Sequence, residues 1–137
     1  MNYRVTLSVQ GQGLYEVTHK VSQAVVNSGI IDGLATVFVR HTSASLVIQE
    51  NADPAVRHDL QRWLDRAVPE NDPDYTHTEE GPDDMPAHIK GAITATSVAV
   101  PILEGRLGLG TWQGIYLFEH RRARSSRTVV VQILSES

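Results

Sequence analysis

Cysteine is absent from the 137-residue chain, so neither a disulfide nor a thiolate ligand is available, and any metal must be held by nitrogen and oxygen. The same absence fits a cytoplasmic protein. No apolar run approaches the roughly 20 residues that span a bilayer, and the first residues resemble neither a secretory nor a transit segment. A cytoplasmic location without a membrane partner is therefore expected. A basic surface is also lacking. The formal net charge of -4 argues against nonspecific nucleic-acid binding as the main task, because counterion release needs many cations on one face. No repeat, low-complexity tract or linker divides the chain, so residues 1–137 are read as one domain. Two catalytic signatures are missing. Ser43 and Ser45 lie in no Gly-x-Ser-x-Gly elbow, and Gly108 and Gly110 fall in a predicted strand rather than before a helix, where a phosphate cradle would need them.

What is present is an ordinary globular composition, 41% hydrophobic and 20% charged, in a chain long enough to bury roughly two thirds of its unfolded surface. Tyr3 to Val9 alternates with period two and predicts a half-buried strand, with a short extended piece at Leu14 to Val17. Thr18 is a plausible cap for a helix carrying Val21 and Val25 inward and stopped at Gly29. Leu34 to Arg40 is β-branched and aromatic, an interior strand delivering His41 at its end. Leu46 to Gln49 then presents Glu50 and Asn51. Asp53-Pro54 starts a helix with Val56, Leu60, Trp63 and Leu64 at helical spacing and Asp59 beside that stripe. Thr96 to Ile102 predicts a strand made short, or an edge, by Pro101. Leu107 to Phe118 predicts a glycine-punctuated strand, and Val129 to Leu134 the last one.

The segment Tyr75 to Lys90 is unlike the rest. It holds His77, His88, four carboxylates and two prolines, and passes from loop to helix. The helix is expected to start near Asp84 as cap, with Pro86 tolerated in the first turn. His88 then lies one turn beyond Asp84 on the same side, and His77 can swing in from the loop. Two imidazoles with oxygen donors suit zinc or another transition metal. The competing reading is a solvated His77 and a half-buried His88 paired with a carboxylate. Arg121, Arg122, Arg124 and Arg127 form a basic run that either neutralises phosphates or is the solvated end of a hairpin. Polar residues that interrupt apolar elements are candidates for a converging site: His41, Glu50, Asn51, Asp59, His77, Asp84, His88, Gln113 and Glu119.

Several of these fall in ordered motifs. His41-Thr42-Ser43-Ala44, then Glu50-Asn51 with Asp53-Pro54 and Asp59, then Tyr75-x-His77, Ala87-His88-Ile89-Lys90, and Gly108-x-Gly110-Thr111-Trp112-Gln113-Gly114-Ile115 with Glu119 resemble the YjbQ family. Its members are often labelled secondary thiamine-phosphate synthase enzymes. The resemblance implies an α+β fold, a sandwich of mostly antiparallel strands flanked by two to three helices, assembled as a homotrimer with a pocket near a subunit boundary. It also implies a weak transferase activity joining hydroxymethylpyrimidine diphosphate to thiazole phosphate with release of pyrophosphate. The implied roles are a divalent metal, zinc being the fit, on His41, His77 and His88, with Glu50 and Glu119 as acid–base candidates beside Asn51, Asp59 and Gln113. Arg127 is expected to meet the phosphate of a small phosphorylated metabolite. The alternative is a non-catalytic homotrimer that binds an anion or metabolite. Asp84 departs from the pattern, since relatives often have Asn there, and it adds negative charge next to His88.

Overall fold

A computed structural model describes residues 1–136. The element order is β1 (Asn2–Val9), β2 (Gly13–Glu16), α1 (Thr18–Ser28), β3 (Gly33–Val39), β4 (Ala44–Glu50), α2 (Pro54–Ala67), α3 (Asp84–Ile93), β5 (Ser97–Leu103), β6 (Arg106–Leu107), β7 (Gln113–Glu119) and β8 (Ser125–Ser135). A five-stranded sheet has the order β1-β8-β3-β5-β6 and a three-stranded sheet the order β2-β7-β4. Every strand pair is antiparallel. The α+β sandwich with three helices is thus the fold that the sequence pattern and the resemblance anticipate.

Alternation explains the layers. Ala35, Val37 and Val39 of β3, Val129, Val131 and Ile133 of β8, and Val100 and Ile102 of β5 face inward. There they meet Ala44, Leu46, Ile115 and Leu117 of the smaller sheet, with Val21, Ala24 and Val25 of α1. The small sheet is buried on its other side too, where Phe118 packs with Leu64 and Val68 under α2 and α3. Burial on both faces accounts for the nearly unbroken apolar run in β7. The outer face of the large sheet is left open and carries exposed Leu34, Phe38, Leu103 and Leu134. Among the described residues no helix is long and apolar enough to cross a membrane.

Local chemistry sets most boundaries. Asp53 caps α2, its carboxylate accepting from the Ala55 amide at 2.9 Å, with Pro54 at the first helical position. Gly29 ends α1 in the left-handed conformation (φ 70°). Four expectations need correction. Asp84 is the first residue of α3 and does not cap it; Asp83 holds the cap position without a side-chain cap bond, and both carboxylates are turned to other partners. Trp63 is 60% exposed, so the apolar stripe of α2 reaches the core mainly through Leu64. The glycine-rich stretch is not one strand. It breaks into β6, which the turn at Glu104 and Gly105, both at positive φ, folds back on β5, a loop over 108–112, and β7, which belongs to the other sheet. Thr18 is the first residue of α1 and not its cap; Val17 holds that position without a side-chain cap bond, and the Thr18 hydroxyl donates to Glu16.

Candidate metal centre

Three side chains converge where the loop 68–83 enters α3. His77 Nε2 lies 2.7 Å and His88 Nε2 3.3 Å from the same Asp84 oxygen, Oδ2. The imidazole planes meet edge to face with centroids 5.3 Å apart. One donor atom from each of the three residues falls within 4.8 Å of the others. The i, i+4 spacing on α3 sets the Asp84–His88 pair, and the loop folds His77 back over it. Asp84 is 2% exposed while His77 and His88 are 48% and 31% exposed, so the group has a buried anion beneath and an open side above.

Arg121 holds that anion in place. Its Nη1 donates to Asp84 Oδ1 at 2.7 Å, its Nε to Asp83 Oδ2 at 3.0 Å, and its Nη2 to the Glu80 carbonyl at 2.9 Å. Burial pushes the Asp84 carboxyl upward, but the hydrogen bond from His77 and the charges of Arg121 and His88 outweigh it, leaving its pKa below the usual value. Burial likewise opposes ionisation of Asp83. The Arg122 amide and the Arg121 guanidinium win, and its pKa is lowered. The Arg121 pKa is raised, first by its hydrogen bond to Asp83.

The third member of the group is Asp84 rather than His41. His41 sits on the other side of His88, and the two line a cavity of about 280 Å³ with Thr42, Ala44 and Gly91. Its Nε2 accepts from the Thr128 amide at 2.8 Å, and its pKa is lowered by burial and then by the Arg127 charge. Gly91 keeps this cavity's wall close: a Cβ there would stand 3.0 Å from the Thr42 carbonyl oxygen. A second cavity of about 230 Å³ opens on the loop side, against Tyr75 and His77.

The remaining candidates do not join the group. Glu119 and Arg127 are spent on each other: Arg127 Nη2 donates to Glu119 Oε2 at 2.6 Å and to Ser43 Oγ at 2.9 Å, in a pair between the sheets where Glu119 is fully buried. Glu50, Asn51 and Gln113 gather at the other end of the small sheet. There Glu50 Oε2 accepts from the Asp53 amide at 3.1 Å, Asn51 Nδ2 donates to the Gln113 carbonyl at 3.3 Å, and Gln113 Oε1 accepts from the Gly110 amide at 2.8 Å. Ala44 opposes Glu119 and Glu50 opposes Gln113 in the register, so the two ends are about 20 Å apart along β4. Asp59 is 80% exposed beside His58. Of the arginine run, Arg121, Arg122 and Arg127 each face a carboxylate, Arg122 that of Glu70. Arg121 and Arg127 are sheltered against carboxylates, whereas Arg122, 62% exposed, and Arg124 lie on the solvated connection between β7 and β8.

Sequence reasoning missed a buried network under α3. His120 Nε2 lies 2.8 Å from Ser45 Oγ, and Lys90 Nζ donates to Asp65 at 2.6 Å. The only signal was polarity directly after the apolar run of β7. Ser45 and His120 form a serine–histidine pair, but both are fully buried, which leaves no access for an acyl substrate.

The comparisons with known proteins agree with this architecture. The family model described as UPF0047 protein YjbQ-like matches residues 3–136. The chain belongs to the YjbQ family. A UPF0047 protein of Synechocystis is 52% identical, with 96% of this chain and 90% of that protein covered. The UPF0047 protein YjbQ of Escherichia coli O157:H7 is 42% identical over 96% of each. A YjbQ/UPF0047 family crystal structure from Clostridium acetobutylicum superposes with a TM-score of 0.85 at 40% identity, covering 98% of this chain and 99% of that one. A YbjQ-like protein of unknown function from Sulfolobus solfataricus gives 0.87 at 28% identity, covering 99% of both.

Proposed function

We propose that this YjbQ-family protein binds a divalent cation, zinc being the best fit, through His77, Asp84 and His88. One observation carries the reading. His88 Nδ1 lies 3.2 Å from the Thr42 carbonyl, which can only accept, so Nδ1 bears a proton, and whenever the ring is neutral its Nε2 lone pair faces the Asp84 carboxylate. Lone pair against carboxylate is repulsive unless a proton or a cation lies between them. Two imidazoles and one carboxylate, open on one side, match the donor set of catalytic zinc sites.

The activity we propose is a weak, secondary thiamine-phosphate synthase reaction in a homotrimer. The thiazole nitrogen donates its pair to the methylene carbon of hydroxymethylpyrimidine diphosphate as the carbon–oxygen bond breaks, and pyrophosphate leaves with that bond's electrons. When bound, the cation supplies neutralisation of charge growing on the leaving diphosphate. Asp84, held by Arg121, keeps the two imidazoles oriented. The exposed apolar residues of the large sheet's outer face, Leu34 and Phe38 among them, support assembly with further copies.

A second reading, a non-catalytic homotrimer that binds a phosphorylated metabolite, is favoured by one fact: within one chain neither Glu50 nor Glu119 is free at the cluster to act as acid or base. Zinc titration calorimetry on the wild type, His77→Ala and His88→Ala, followed by an assay of thiamine phosphate formation, tests both. Each alanine variant is expected to lose at least about tenfold in zinc affinity, and product formation to fall with it. Equal zinc affinity in all three proteins removes the site assignment. Tight zinc binding without product leaves the metabolite-binding reading.

A further inference from the structure

His41 looks at first like a third imidazole for the same cation, and its hydrogen bonding says otherwise. The Thr128 amide can only donate, so His41 Nε2, 2.8 Å away, carries a lone pair that is already used. In a neutral ring the proton then sits on Nδ1. A protonated nitrogen cannot ligate a metal, and the nitrogen that lacks a proton is turned toward β8. Nδ1 has no partner among the described residues, and it is not one of the enclosed atoms left without one, so it is reachable from outside. The ring borders the cavity of about 280 Å³ that His88 shares.

The rest of that lining has no formal charge: Thr42, Ala44, Gly91, Ala92 and Thr96. Arg127 is neutralised by Glu119, and Arg40, whose charge reaches His41, lines the groove on the large sheet's outer face and not this cavity. A site with one fixed neutral donor and small uncharged walls selects an uncharged group with an acceptor atom, not a phosphate.

We propose that His41 is a ligand-binding donor rather than a metal ligand: its Nδ1–H bonds an acceptor atom, a ring nitrogen or oxygen, on the uncharged part of a phosphorylated ligand whose phosphate end meets the His77–Asp84–His88 cation. The proposal rests on the cation reading above for the phosphate end, and on the Thr128–His41 bond alone for the donor. Long-range ¹⁵N NMR of the histidine rings in the full-length protein separates the two. Without metal, His41 is expected as the Nδ1–H tautomer at pH 7. On adding zinc, His77 and His88 are expected to move to metal-bound shifts while His41 keeps its tautomer. An Nε2–H or doubly protonated His41, or a zinc-induced shift of its Nδ1 to a metal-bound value, overturns the proposal. A zinc titration that moves no histidine sinks the cation site, and with it the phosphate half of the pose, yet leaves the tautomer to be read on its own.

Binding supplies the second arm, with hydroxymethylpyrimidine diphosphate as the probe and zinc present. His41→Leu is expected to weaken probe binding about tenfold, the loss of one hydrogen bond, with zinc affinity unchanged. His41→Gln restores both an acceptor for Thr128 and an N–H donor, and is expected to recover most of the binding. Equal probe affinity in wild type and a folded His41→Leu overturns the donor role.

Discussion

His120 is the most heavily perturbed titratable group outside the candidate centre. Burial, then the charges of Lys90 and Arg127, lower its pKa from 6.5 to about 3. Its Nδ1 has no hydrogen-bond partner among the described residues, and the Asp65 charge offsets only part of the cost of a proton there. The folded state therefore binds its proton later than the unfolded chain as pH falls. Stability is full above about pH 6.5 and is lost toward pH 3 at a slope of up to about 1.4 kcal/mol per pH unit. Asp83 and Asp84, whose folded pKa values lie below 3.8, add to the loss only below that value. Urea unfolding between pH 7 and 4.5 reads mainly His120, with a smaller part from His41, whose pKa is also lowered: the wild-type midpoint is expected to fall, and that of His120→Gln to fall less steeply. Parallel slopes for the two proteins would show that His120 is not the group responsible. At this scale the pair Asp84–His88 was legible because four residues make one helical turn. Arg121, which reaches across 37 residues to Asp84, was not, since no local pattern joins a hairpin end to a helix start.

Elements with a chemical start or stop were the ones readable from the chain. Asp53-Pro54 and Gly29 each satisfy or end a helix with atoms of their own neighbourhood, and both stand where expected. Replacing Asp53 by Ala is predicted to cost about 1 kcal/mol of stability, from loss of the bond to the Ala55 amide. Thermal or urea melts of the single variant check it, and no change would mean that α2 is held by packing alone. Asp83 and Asp84 show the limit of the same logic. Both are cap-type residues at a helix start, but the guanidinium of Arg121 competes for their carboxylates and wins. Likewise, alternation in Leu107 to Phe118 reads as one strand, because period two does not reveal the loop over 108–112, closed by Gln113 on Gly110, that carries the chain from one sheet to the other. Trp63 keeps helical spacing with Val56 and Leu60 and still faces solvent, since α2 meets the small sheet along one narrow line.

Across the whole molecule the two sheets enclose one core, and polar residues collect at opposite ends of the small sheet. One end has His41 and the His77–Asp84–His88 group; the other has Glu50, Asn51 and Gln113. Most strands and the helices followed from alternation and turn residues, while the sandwich and its antiparallel pairing followed from the family resemblance. The split into two polar ends did not, because spacing in sequence says which residues are polar and not which end of a strand they share. Separation has a consequence that free-energy cycles can read. Sites about 20 Å apart in one chain do not share partners, so the effects of His88→Ala and Gln113→Ala on zinc affinity or on unfolding are predicted to add within about 0.5 kcal/mol in an isolated subunit. In a ring of identical copies the same cycle acts as a ruler between subunits. A coupling energy well above that bound, present at high protein concentration and vanishing on dilution, would mean that the Gln113 end of one copy meets the histidine end of the next.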